Sequence, residues 1–172
     1  GFQALIKTGL VPFGKIVEPS AENPTLTYNN IHRHISRVVR TKMVSAMSPW
    51  ALDSSVLDNR PHYVPISHGE GRIIINNELA KELFEKGQVF TQYCDENGVP
   101  SIVEPDNPNG SAFAIEGLTS PDGRVLGKMG HSERTIGTGE NGFSKDLIKN
   151  IASNNDASSC QNLFAAGVRY FN

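Results

Sequence analysis

His62-Tyr63-Val64-Pro65-Ile66-Ser67-His68-Gly69-Glu70-Gly71-Arg72-Ile73-Ile74-Ile75-Asn76-Asn77-Glu78-Leu79 is the stretch whose pattern decides the fold. Residues 62–67 read as a short strand that runs into a glycine-rich turn over 68–72. Ile73-Ile74-Ile75 is β-branched and continuous, which predicts a strand buried on both faces. Asn77 then reads as an N-cap; Leu79, Leu83 and Phe84 fall at helical spacing, and Gly87 ends that helix. A strand over Val89–Cys94 follows, closed by the turn Asp95-Glu96-Asn97-Gly98. Strands interleaved with few helices predict an α/β or α+β sheet protein.

The flanking residues extend this pattern. Upstream, Ser36 to Ser45 alternates Val with Arg and Lys and reads as a strand, whereas 18–30, with two prolines and several Asx residues, reads as a loop. Ala4 to Leu10 reads as the end of a helix, with Gly9 as its stop and Pro12 preventing continuation. Residues 48–60 form a polar connection containing Pro49-Trp50. Downstream, Asn107-Pro108-Asn109-Gly110 and Ser120-Pro121-Asp122-Gly123 are strong turns, and Ala112–Leu118 and Arg124–Met129 are strand-like. Thr135 to Gly142 reads as a Gly- and Thr-rich loop. Phe143, Leu147 and Ile151 make an amphipathic stripe, and Leu163, Phe164 and Val168 mark a last helix capped near Asp156.

The chain has 172 residues, which suits one domain able to bury roughly two-thirds of its unfolded surface. Its 16 basic and 18 acidic residues leave a net charge of −2, so no positive excess points to nucleic acid or to an anionic membrane. Cys94 and Cys160 cannot make a disulfide framework or a four-thiolate zinc site, and they read as reduced thiols of a cytoplasmic protein. No apolar run approaches the ~20 residues of a membrane span. The opening Gly1-Phe2-Gln3 has neither a basic leader nor an initiator Met, so the expectation is a processed chain or a piece of a longer one.

Three segments could carry chemistry. His32-Arg33-His34 places two imidazoles two apart, but no Asp, Glu or Cys lies nearby at ligand spacing, and no metal site is expected. His131-Ser132-Glu133 directly follows the predicted strand 124–129. Were strand geometry to persist, the imidazole and the carboxylate would share a face. A carboxylate that accepts from one ring nitrogen fixes the tautomer and frees the other as a base. Taken alone, His-x-Glu also fits an ordinary strand end. Ser67-His68-Gly69-Glu70-Gly71 has two glycines after a strand, so its backbone can approach a ligand closely, though a plain connecting turn fits equally. It is not a phosphate loop, because no Gly-Lys-Ser/Thr follows. A base and its orienting acid are thus visible without a nucleophile, since Cys94 ends a strand just before a turn and Cys160 has no neighbouring basic residue to lower its pKa.

In this order the motifs resemble the class I glutamine amidotransferase domain at the C-terminus of phosphoribosylformylglycinamidine synthases. The resemblance rests on Gly1 to Pro12, on Arg33 to Arg40 with Ser48-Pro49-Trp50, and on Pro65 to Arg72. It continues through Asn107 to Ser111, Asp122 to Val125, Gly130-His131-Ser132-Glu133-Arg134 and the terminal Gly167 to Phe171. It implies a flavodoxin-like α/β sandwich lacking its N-terminal strands and helices. Residues 1–172 would be the C-terminal part of a single amidotransferase domain, with 138–172 its C-terminal loop and helices. The family's nucleophile motif, Gly-x-Cys-Asn-Gly-x-Gln, fits Gly1-Phe2-Gln3 at its last three positions, which would put the nucleophilic Cys two residues before Gly1. The resemblance further implies that His131 is the catalytic base and Glu133 its orienting carboxylate. Gln3, Ser67, Gly69 and Glu70 would bind substrate glutamine.

The implied function is that of a glutaminase that supplies ammonia, in purine biosynthesis, for ATP-dependent amidation of formylglycinamide ribonucleotide. No cofactor is expected in this chain; ATP and Mg would belong to the synthetase domain of the same parent polypeptide. Arg33, Arg37, Arg40 and Arg72 read as solvated strand faces or inter-domain salt bridges, and a sharper reading has Arg37 or Arg40 dock on that domain. A chain without its nucleophile should be inactive alone, and its uncovered apolar face should favour self-association. The alternative is a non-catalytic amidotransferase-like binding or scaffold module.

Overall fold

The computed structural model describes residues 1–51, 61–134 and 163–172. The expected loop at 135–142, the stripe Phe143, Leu147 and Ile151, the cap near Asp156 and the thiol of Cys160 lie outside the described residues.

The first helix, α1 (Phe2–Thr8), stops at Gly9, whose φ of 81° is left-handed and whose N–H caps the Ile6 carbonyl. A short second turn, α2 (Leu10–Phe13), is broken by Val11 in an extended conformation before Pro12. Among the described residues seven strands follow: β1 (Thr25–Thr27), β2 (Ile35–Met43), β3 (His62–His68), β4 (Arg72–Ile74), β5 (Val89–Tyr93), β6 (Ile115–Thr119) and β7 (Leu126–Lys128). Helix α3 (Asn77–Glu85) lies between β4 and β5, and α4 (Leu163–Phe171) comes last. Strands β3-β2-β5-β6-β7 form one antiparallel sheet, and β1 and β4 pair separately.

Helices pack against both faces of the sheet. Val89 and Phe90 are adjacent on β5, so their side chains leave on opposite faces. Val89 joins Ile115 and Leu118 in a core with Phe2 and Ile6 of α1, Leu83 of α3, and Leu26 and Ile73 of the small ladder. Phe90 joins Met43, Ala51 and Leu163, so α4 and Trp50 close the other side. Gly167 of α4 abuts Trp50 so closely that a Cβ there would lie 2.5 Å from the indole. Helices on both sides of one sheet make the expected α/β sandwich. All five residues of β5 and all five of β6 are buried as a result.

Four local expectations need correction. The loop 18–30 contains β1, whose Leu26 is buried to 3% exposure and draws Thr25–Thr27 into a ladder with β4. The isoleucine run is not buried on both faces: Ile73 is 1% exposed but Ile74 is 46%, because a two-stranded ladder has a single face toward the core. The N-cap of α3 is Asn76, one residue earlier than expected; its Oδ1 accepts from the Leu79 N–H at 2.8 Å. Residues 112–114 make a tight turn with Phe113 and Ala114 at positive φ, so β6 begins only at Ile115. No helix among the described residues is long and apolar enough to cross a membrane.

Candidate active site

The sheet curls until its two edges meet, and His131 lies at the meeting point. Beyond β7 the chain stays on β6 for one more bond, from Met129 N–H to the Glu116 carbonyl at 3.1 Å. It then crosses to the opposite edge, where the His131 N–H donates to the Pro65 carbonyl of β3 at 2.9 Å. Gly130 makes the crossing possible: a Cβ there would fall 2.6 Å from Val64 Cγ1 and 2.9 Å from Glu116 Oε1. Residues 132–134 then form a single tight turn, so strand geometry does not persist through His131-Ser132-Glu133.

That turn brings the pair together all the same. His131 Nδ1 lies 2.7 Å from Glu133 Oε1. A carboxylate only accepts, so Nδ1 carries the hydrogen and Nε2 keeps its lone pair as a base. Burial opposes the charge on Glu133. The bond from His131, its own backbone amide and the nearby charges of His131 and Arg134 nonetheless hold its carboxyl below the usual carboxylate range. The imidazole is about one-third exposed, open enough to meet a reactant.

The other expected residues gather at the end of β3 and beside α1. Gln3, on the first turn of α1, donates through Nε2 to the Glu70 carboxylate and to the Leu26 carbonyl at 3.3 Å. The Ser67 hydroxyl faces His34 Nε2 at 3.0 Å. Gly69 has open space where a side chain would stand, and its carbonyl accepts from the Asn29 N–H at 3.1 Å. Phe2 of α1 lies against Gly127, where a Cβ would come 2.1 Å from its ring. The start of α1 therefore rests on the strand that leads to His131.

Asparagines fix the glycine-rich turn. Buried Asn29 donates through Nδ2 to the carbonyls of His68 and Arg33, and its Oδ1 accepts from the Gly71 N–H. The same oxygen lies 3.0 Å from His68 Nδ1, which must therefore be the protonated ring nitrogen. Burial, helped by His34 and His131, pushes the His68 pKa down to about 4, so this ring is neutral near pH 7. On the other side Asn109 donates to the Gly71 carbonyl and to the Tyr93 hydroxyl, both at 2.8 Å. The Asn107-Pro108-Asn109-Gly110 turn is thus a clamp on the Ser67–Gly71 segment.

Cys94 does not belong to this machinery. Burial pushes its thiol up to about 12, and nearby Arg40 only partly offsets this. In the native chain Cys94 should be carbamidomethylated by iodoacetamide at pH 8 at least about 100-fold more slowly than a free cysteine, read on its own peptide by mass spectrometry. Labelling at the free-thiol rate would restore it as a nucleophile candidate. Arg40 pairs with Asp106 at 2.7 Å, which commits it within the domain, while Arg37 stays exposed. Among the described residues no group of three His, Cys, Asp or Glu side chains could hold a metal ion.

Two residues of this region are not expected from the sequence: Asn29, in a stretch that reads as a loop, and Glu116. The signal for Glu116 was a lone carboxylate within the apolar run Ile115-Glu116-Gly117-Leu118.

Comparison with known proteins places the chain in a defined family. A family profile described as a CobB/CobQ-like glutamine amidotransferase domain matches residues 1–171. The chain is 32% identical to phosphoribosylformylglycinamidine synthase subunit PurQ of Treponema denticola, with 99% of this chain and 64% of that protein covered. It is 31% identical to the subunit PurQ of Methanococcus maripaludis over 100% of this chain and 63% of that protein. It is 37% identical to that of Picrophilus torridus over 78% of this chain and 49% of that protein. The chain thus spans about half to two-thirds of the length of these relatives. The structure of PurLQS from Thermotoga maritima superposes with a TM-score of 0.65 at 20% identity, covering 100% of this chain and 59% of that one, a likeness of fold.

Proposed function

Since the chain belongs to the CobB/CobQ-like glutamine amidotransferase domain family, we propose that it is the greater part of the glutaminase domain of a cytoplasmic phosphoribosylformylglycinamidine synthase. The observation that carries this reading is the His131–Glu133 pair at 2.7 Å, held where the two sheet edges meet. The names of the relatives support the choice of acceptor.

The reaction is hydrolysis of the glutamine side-chain amide. A cysteine thiolate attacks the amide carbon, and His131 Nε2 takes the thiol proton and passes it to the departing ammonia. Glu133 keeps Nδ1 protonated and stabilises the ring while it is cationic. Water then cleaves the thioester and releases glutamate. In this reading the nucleophile belongs to the parent protein ahead of Gly1, and the contact of Phe2 with Gly127 would bring that segment toward the base. Gln3, Ser67, Gly69 and Glu70 hold the amino-acid end of the substrate, the open space at Gly69 being suited to it. Ammonia passes to the synthetase domain of the same parent polypeptide, with Arg37 available for docking. ATP and Mg²⁺ bound in that domain would activate formylglycinamide ribonucleotide toward ammonia. Self-association of the 172-residue chain belongs to the same proposal.

The test compares nitrogen donors. The parent protein should amidate formylglycinamide ribonucleotide with either glutamine or ammonia, and the 172-residue chain alone should release no ammonia from glutamine above the buffer rate. Turnover by the chain alone would place the nucleophile within it. A parent protein that uses ammonia but never glutamine would make the domain a non-catalytic module.

A further inference from the structure

Among the described residues, the proposed site leaves the buried carboxylate of Glu116 without a role. Glu116, the second residue of β6, has no exposed surface at all. Burying a carboxylate costs several kcal/mol unless it is paired and hydrogen-bonded, so its partners indicate what it is for. Its Oε2 accepts from the Thr91 hydroxyl on β5 at 2.5 Å. Its Oε1 accepts from the Gly130 backbone N–H at 2.5 Å, the last amide before His131. Lys128 Nζ lies 3.5 Å from the same oxygen and reaches the Ser132 hydroxyl at 3.3 Å, one residue past His131. The base is therefore bracketed. Residue 130 is tied to Glu116, residue 131 to the Pro65 carbonyl, and residue 132 to the lysine that neutralises Glu116.

Given the glutaminase reading above, we propose that Glu116, together with Lys128, is a positioning residue for His131. An apolar residue at 116 would serve the core at least as well, since well-packed apolar replacements of buried ion pairs are often neutral or stabilising. What it could not do is accept from Gly130 N–H at the point where the chain leaves one sheet edge for the other. The carboxylate converts that crossing into a fixed backbone position, and the imidazole inherits it. Glu116 touches neither substrate nor reacting atoms, so its removal should appear in kcat and not in KM.

The experiment uses the complete parent protein and reads kcat and KM for glutamine-dependent amidation, ammonia-dependent amidation and the melting temperature. Glu116→Ala should lower glutamine-dependent kcat about 30-fold with KM unchanged, short of the ~100-fold that a 1 Å misplacement can cost. Glu116→Gln keeps an acceptor for Gly130 and should recover kcat to within about threefold of wild type, as expected if holding geometry matters more than charge. The double variant Glu116→Met with Lys128→Met guards against simple unfolding, because it replaces the pair with apolar bulk; it should melt at or above the wild-type temperature and still lose kcat. Wild-type kcat in that folded double variant, or in Glu116→Ala, overturns the proposal. So does a rise in KM at constant kcat. If His131→Ala also left glutamine-dependent turnover intact, the glutaminase reading itself would have failed, which is a separable result.

Discussion

His131→Ala in the complete parent protein should lower glutamine-dependent kcat by on the order of 10⁶ while ammonia-dependent amidation stays at the wild-type rate. Members of a nucleophile–base unit act together, so removing the base alone costs nearly as much as removing the whole unit. The geometry makes the substitution clean. The backbone bond from residue 131 to Pro65 does not involve the side chain, and the imidazole is about one-third exposed, so its loss leaves no large void. Its one described side-chain partner, Glu133, is exposed enough to be hydrated once the ring is gone. A stopped assay for ammonia, beside ammonia-fed amidation on the same sample, separates the two activities. A loss below tenfold would remove His131 from the chemistry.

Glu133→Gln should cost about 10³-fold in the same assay, less than the ~10⁴ of a buried triad carboxylate. The reason for the smaller figure is solvent. Glu133 is more than half exposed, so water can do part of the work of stabilising a cationic imidazole when the charge is removed. The reason for a large effect is the tautomer. A carboxylate can only accept from Nδ1, whereas a carboxamide can turn its NH₂ toward the ring and draw the hydrogen onto Nε2, where a base needs a lone pair. Titrating the His131 ring by ¹⁵N-resolved NMR would show the change in tautomer directly. An unchanged tautomer together with wild-type kcat would reduce the 2.7 Å contact to a surface ion pair.

The parts of the molecule legible in the sequence were those written in neighbouring residues. His131 and Glu133 are two apart, and a single tight turn suffices to join them. Strands β2, β3 and β5 follow from short-period patterning, and through positive φ Gly9 marks the stop of α1 and Gly98 the turn after β5. The missed parts depend on partners distant in sequence. β1 is only three residues long, with a proline at Pro24 and Asx residues around it; nothing local competes with a loop reading until Ile73 comes to pair with Leu26. Ile74 looked like core because side-chain chemistry does not reveal that its ladder has two strands. Glu116 acquires a purpose only from Thr91, Lys128 and Gly130, which the antiparallel pairing of three strands assembles around it.

The contact between Phe2 and Gly127 carries a consequence in time. Ribosomes add roughly 5–20 residues per second, so β7 emerges on the order of 10 s after α1. Through that interval α1 has no β7 to lie against, and neither Lys128 nor His131 exists. The pairing is of high sequence separation, so it is also among the later contacts to close once both parts are available. Under the glutaminase reading, the His131–Glu133 pair is therefore absent through most of the synthesis of this domain, and the site can be completed only after β7 has emerged.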